Sequence, residues 1–127
     1  MNKLLIYCVA ALSLLFIQCG GSAESQLKKM AEEVNSKCPK VIDQWTSLDS
    51  CNSLSANSFK YHMTIKDVVI TDTTVFKSNL TPQILSAIKI SPEMKFFKEN
   101  NITLIYEYRD QAKNYLFSVI ATPNDYK

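Results

Sequence analysis

With 127 residues, 46% of them hydrophobic, and a formal net charge of +2, the chain has room for one modest hydrophobic core and is too apolar to be a disordered segment. No basic run exceeds the pair Lys28-Lys29, so charge gives no case for nucleic acid, and a single histidine leaves little material for a metal centre or a catalytic triad.

Met1-Asn2-Lys3 is a short positive start, and Leu4 to Ile17 is an apolar run without a charge. A spanning helix needs about 20 apolar residues, so this run is short for a permanent anchor and suits the apolar region of an export signal. Leu15-Phe16-Ile17-Gln18-Cys19-Gly20 resembles a bacterial lipobox, with Cys19 as the residue that receives lipid and becomes the mature N-terminus. Gln18 departs from the small residue usual at that position. The competing cut, after Ala23, would discard Cys19 with the signal. Residues 1–18 are therefore expected to be the export signal peptide. Residues 19–25 are expected to be the lipidated cysteine and a small-residue tether, and residues 26–127 a single α+β domain. Those assignments put the domain in the cell envelope, outside the cytoplasm, with a membrane as its first partner through the lipid on Cys19.

From Gln26 to Lys37, Leu27, Met30, Ala31, Val34 and Cys38 recur with the spacing of one helical face, with Ser25 as cap and Pro39 as stop. Val41 to Leu48 reads as a strand of irregular alternation. Phe59, Tyr61, Met63 and Ile65 alternate with Lys60, His62 and Thr64, which is a half-buried strand. Ser53 to Ser58 is the loop between these two strands. Val68 to Ile70 is an extension of the second, and Thr71 to Thr74 is a turn. Thr81-Pro82 opens a helix at its first position, continuing in one or two pieces to about Lys98, with Asn100-Asn101 ending it in left-handed geometry. Ile102, Leu104, Tyr106 and Tyr108 form a third strand. Tyr115, Phe117, Val119 and Ala121 form a fourth, joined to the third by a hairpin from Arg109 to Asn114. The order α-β-β-α-β-β predicts a two-layer α+β domain with helices on one face of an antiparallel four-stranded sheet. Ile105, Leu116 and Ile120 point to the other face, a candidate contact surface.

Asn35-Ser36-Lys37-Cys38-Pro39, Ile42-Asp43, Thr46, Leu48, Tyr61 to Ile65 and Tyr106-Glu107-Tyr108-Arg109-Asp110 resemble a group of uncharacterised bacterial envelope lipoproteins. The resemblance implies an exported α+β domain and transfers no catalytic residue. Ala112 and Lys113 stand where those relatives place a glycine, and no cysteine follows Cys51.

The remaining chemistry is sparse. His62 lies on a polar strand face and reads as a surface histidine. Cys38, Cys51 and His62 match no zinc spacing. Asp67 and Asp72 with Thr71 to Thr74 lack the density of a calcium loop. Glu107 and Asp110 show no acid-pair arrangement. Tyr61, Tyr106, Tyr108 and Tyr115 read as core and cross-strand aromatics. Catalytic, metal and cofactor residues are therefore all expected to be none. If residues 41–51 run extended, Cys38 and Cys51 stand roughly 35 Å apart at about 3.3 Å per residue, too far for a disulfide. The expected function is a non-catalytic binding module with a protein partner in the envelope. The alternatives are an inhibitor or immunity protein for a secreted toxin, and an envelope hydrolase.

Overall fold

The computed structural model describes residues 22–127, so the signal and Cys19 lie outside the described residues. The elements in chain order are α1 (Ala23–Asn35), β1 (Lys40–Val41), β2 (Thr46–Ser55), β3 (Ser58–Ile65), α2 (Thr73–Ile90), a 3₁₀ turn (Pro92–Met94), α3 (Lys95–Glu99), β4 (Thr103–Arg109), β5 (Tyr115–Ala121) and α4 (Pro123–Tyr126). The strands form one sheet in the order β1-β2-β3-β4-β5. All neighbours are antiparallel except β3 and β4, which are parallel. The α+β class stands, and the four-stranded antiparallel sheet is corrected to a five-stranded mixed one. The physical reason is the crossover. The connection through α2 and α3 carries the chain from the end of β3 back to its start, which only a parallel neighbour allows.

The first expected strand is also redrawn. The Asp43 carboxylate accepts from the backbone N–H groups of Trp45 (2.9 Å) and Thr46 (2.8 Å), and this side-chain turn reverses the chain. What reads as one strand is therefore a short hairpin, with Lys40 facing Leu48 and Val41 facing Ser47. Asp49 is an extra residue on β2, opposite no residue of β3, and a second irregularity falls at Leu54. The bulge at Asp49 places Leu48 and Cys51 on the same buried face, which accounts for the irregular alternation. With the chain doubled back, the strand-length separation assumed for Cys38 and Cys51 does not hold.

Helix α1 starts earlier than the sequence implies, with Ser22 rather than Ser25 as the cap accepting from the Ser25 N–H. It buries Leu27, Met30, Ala31 and Val34 against the sheet as expected. Helix α2 also starts earlier, at the Asp72 cap, and contains Pro82 instead of beginning there. Phe76, Leu80, Ile84 and Ile88 recur at intervals of four straight through the proline and pack on the core. That apolar stripe offsets the hydrogen bond Pro82 cannot make. Val68 to Ile70 extend no strand, and Thr73 and Thr74 are helical rather than a turn. Asn101 takes a φ of 54° as expected, and Lys113 takes 72° in the turn where a glycine would be at ease. Helix α4, absent from the sequence reading, is closed by a reciprocal cap between Thr122 and Asp125. It places Tyr126 in the core, where its hydroxyl donates to the Ile102 carbonyl at 2.6 Å.

One contact ties the helix layer to the sheet. β1 covers only two residues of β2, leaving the Cys51 backbone without a strand beside it on that side. The Asn35 side chain takes that place: its Nδ2 donates to the Cys51 carbonyl at 2.9 Å, and its Oδ1 accepts from the Cys51 N–H at 2.8 Å. Asn35→Ala leaves both groups without their partners and is expected to lower the unfolding free energy by about 2 kcal/mol, read from the urea midpoint. Asn35→Asp keeps the acceptor and loses the donor, so it is expected to remain destabilised. A loss below about 0.5 kcal/mol for Asn35→Ala would contradict this role.

Candidate functional site

The two faces of the sheet differ in chemistry. The helix-covered face carries stacked aromatics: Tyr61 on Tyr106 at 4.9 Å between ring centres, and Tyr108 on Phe117 at 4.9 Å. Burial pushes the hydroxyls of Tyr106 and Tyr108 above their ordinary range, so both stay neutral. Tyr61, Tyr106 and Tyr108 are core residues, as expected. Tyr115 is not. Leu116 is an extra residue opposite the step from Tyr108 to Arg109, and it turns Tyr115 out to the open face, 56% exposed.

The open face centres on Glu107. Parallel pairing sets His62 beside Glu107, with Lys60 beside Ile105 and Thr64 beside Arg109. Lys60 Nζ lies 2.8 Å from Glu107 Oε1, while Arg109 Nη2 and His62 Nδ1 lie 3.0 Å and 3.3 Å from Oε2. His62 Nε2 reaches Asn52 Oδ1 at 2.7 Å. Thr64 donates to Asp49, the bulged residue of β2. The Lys60 hydrogen bond, more than any other cause, holds the Glu107 carboxyl below its usual 4.5. Both oxygens are occupied by cations and the side chain is only 9% exposed, so Glu107 is poorly placed to take a proton from a substrate. His62, expected at the surface, is half-buried and engaged on both nitrogens. Sequence reasoning did not find this lattice. The signal was the pair of ionisable side chains two residues apart on each of two strands, but their register across a long crossover cannot be read from one chain. The expected apolar contact surface on this face shrinks to the neighbours Ile105 and Ile120 beside it.

The other sequence candidates are dispersed. Asp72 is the α2 cap. Asp67 takes a φ of 61°, and its N–H donates to the Gln111 side chain. Asp110 shapes the last hairpin by accepting from the Asn114 N–H at 2.9 Å, the largest of the causes that hold its carboxyl low. Cys51 is buried under α1, with its sulfur 3.9 Å from the Ala31 carbonyl, and Cys38 is half-buried. Among the described residues no group of three His, Cys, Asp or Glu side chains is disposed to hold a metal ion. No described helix is long and apolar enough to cross a membrane.

What the fold does build is an apolar cleft of about 310 Å³ at one end of the helix-covered face. Its floor is Met63, Ile65 and Tyr108, its wall is Phe76 and Leu80 of α2, and its rim is Trp45 and Val68. Trp45, the one tryptophan of the chain, is 48% exposed, and Val68 is 40% exposed. Asp43, whose carboxylate makes the turn beneath Trp45, is the cleft's single charged residue. The hairpin that corrected the first strand is thus the element that sets Trp45 at the rim.

Residues 22–117 match the model of a family described as a domain of unknown function, DUF8479. The chain belongs to the DUF8479 family. No curated protein matches it in sequence. Among solved structures, it resembles the pilotin EpsS of the Vibrio vulnificus type 2 secretion system, with a TM-score of 0.65 at 10% identity over 83% of this chain and 92% of that one. It also resembles the type II secretion system pilotin AspS of Vibrio cholerae, with a TM-score of 0.60 at 10% identity over 81% and 91%. A Pseudomonas aeruginosa protein described as secreted gives 0.61 at 12% identity over 86% and 100%. At such identities the likeness is one of fold, and the DUF8479 chain shares its small α+β architecture with these three proteins.

The Glu107 lattice generates a prediction about acid stability. A carboxyl held low in the folded state stabilises the fold above its unfolded pKa, and that share is lost as pH falls through the folded value. The wild-type chain is therefore expected to lose stability below about pH 4.5. Glu107→Gln is expected to be less stable by about 1 kcal/mol at neutral pH and to show a flatter decline in acid, measured by urea unfolding across the pH range. Parallel acid profiles for the two proteins would show that the lattice carries no such share.

Proposed function

We propose that this domain is a non-catalytic interaction module of the bacterial cell envelope. It holds an apolar segment of a protein partner in the cleft rimmed by Trp45 and Val68. The observation that carries the reading is the cleft itself. A half-exposed tryptophan stands over an aromatic and aliphatic floor, at a site the domain leaves open to solvent. Large aromatic side chains bordering a pocket are the usual anchors of protein recognition, and burying one such side chain contributes about 1.5–3 kcal/mol. The closed lattice around Glu107 fits the same reading, because its charges neutralise one another in place of presenting a base or a nucleophile. The likeness of fold to two type II secretion pilotins supports an envelope setting.

The reading includes the N-terminus. Cys19 receives the lipid after the signal is cut, residues 20–25 serve as the tether, and the cleft works within reach of a membrane. Residues 22–25 complicate a simple tether, because Ser22 caps α1 and the helix runs from Ala23. Only residues 19–21 then stand between the lipid and the cap of α1, so the domain works close to the lipid.

One capture experiment from intact envelopes tests both parts. Wild-type protein is expected to retain a stoichiometric protein partner in the membrane fraction. Val68→Asp, a change at an exposed loop position, is expected to weaken retention at least tenfold, about 1.4 kcal/mol. Cys19→Ser is expected to keep the partner and move the complex to the soluble fraction. Equal capture by wild type and Val68→Asp would remove the cleft from the account. Loss of the biological phenotype in His62→Ala, with folding and capture intact, would favour an enzyme instead.

A further inference from the structure

β5 is the last strand of the sheet, so among the described residues one of its edges has no strand beside it. Among the described residues, only β4 is hydrogen-bonded to the backbone of residues 115–121. The outer edge therefore presents N–H and C=O groups ready to pair with another strand. Such edges are ordinarily blunted by a lysine, a proline or a bulge. β5 contains no charge and no proline, and its one bulge, at Leu116, leaves residues 117–121 regular.

A groove of about 640 Å³ runs along this edge, between the first half of α2 and the start of β5. Its helical wall is a stripe containing Thr73, Lys77, Ser78 and Pro82, next to the stripe that packs on the core. This wall is polar and built largely of small side chains, unlike the cleft on the other side of α2. Pro82 has no N–H to give the Ser78 carbonyl, so that wall carries a backbone acceptor without its helical donor. Lys77 is the groove's single charged residue, and no ion pair to it is present among the described residues. A strand laid against β5 would turn every second side chain toward α2, where the ammonium of Lys77 favours an acidic residue.

We propose that the β5 edge and the adjoining α2 groove form a strand-addition site, which takes an extended acidic segment of a partner protein. The segment becomes a sixth strand beside β5, its backbone pairing with the free edge and its acidic side chain facing Lys77. A second copy of this chain fits less well. Antiparallel pairing of two β5 strands would set the two α2 helices over strands only about 4.8 Å apart, whereas packed helices need about 8–10 Å. The site goes beyond the Trp45 cleft and uses the opposite flank of α2.

The test uses the full chain in detergent micelles and a fluorescent peptide, acetyl-Thr-Val-Glu-Val-Thr-Val-amide, read by fluorescence polarisation. The acidic peptide is expected to bind with a Kd of about 10–100 µM, and a version with lysine in place of glutamate at least fivefold more weakly. Lys77→Glu is expected to reverse that order. Two further peptides carry N-methyl groups on alternate residues, each blocking one edge. One is expected to lose binding tenfold or more and the other to keep it, since only one edge faces β5. Val68→Asp is expected to leave all of these values unchanged, which separates this site from the cleft. No saturable binding of the acidic peptide below about 1 mM, or equal tolerance of both methylation patterns, would overturn the proposal. So would loss with both patterns, or an unchanged charge preference in Lys77→Glu. A dimer that the acidic peptide dissociates would assign the edge to a second copy and overturn the partner named here.

Discussion

The fold depends on how β2 is completed along its outer edge. β1 supplies only two residues of partner, so the strand would otherwise run on with an unpaired backbone. The Asn35 amide meets the Cys51 N–H and carbonyl as a strand would, with one donor and one acceptor. This replaces a strand with the end of a helix and fixes where α1 sits. With α1 fixed, Leu27, Met30 and Val34 close over the buried face of β2, and the Ala31 carbonyl comes to rest above the Cys51 sulfur. A backbone pair left without water or protein partners would cost about 1–3 kcal/mol per group, comparable to a buried aliphatic side chain.

From that anchor the two faces diverge. The covered face is apolar and aromatic, and it ends in a cleft because α1 packs on β2 while α2 packs toward β5. Among the described residues no helix covers the open face, which is sealed by charge instead. Glu107 is nearly as buried as a core residue, yet its cover is the side chains of Lys60, His62 and Arg109 rather than a second layer. Such a face stays soluble without presenting a large apolar patch. The two surfaces proposed for recognition, the cleft and the edge of β5, lie one on each flank of α2.

Much of the architecture was legible in the residues. The stripe of Leu27, Met30, Ala31 and Val34, the alternation of Phe59 to Ile65, and the left-handed Asn101 are local signals, and the structure keeps them. The errors arose where a local signal competed with a longer one. Pro82 after Thr81 is a good helix start, but Asp72 is also a good cap. Four apolar residues spaced by four make burial, not the proline, decide the helix. Asp43 hid a hairpin inside what looked like a strand, because an Asx turn and a strand residue are written with the same letter. The site was less visible than the fold. Trp45, Val68, Phe76 and Tyr108 come from four separate segments, and no spacing rule gathers them. The proposed lipidation of Cys19 rests on sequence alone.

The central claim is that this domain works by holding another polypeptide against Trp45, and that residue offers a direct reporter because the chain has no other tryptophan. Protein labelled with 5-fluorotryptophan carries one fluorine, at the rim of the cleft. Its fluorine resonance would be recorded in the purified full-length protein and again in membranes carrying the protein at its native level. Partner docking predicts a shifted and broadened signal in the membranes, and a return to the purified position in the Val68→Asp variant. An identical resonance in both settings would contradict the account, because Trp45 would then stand in water where the domain does its work.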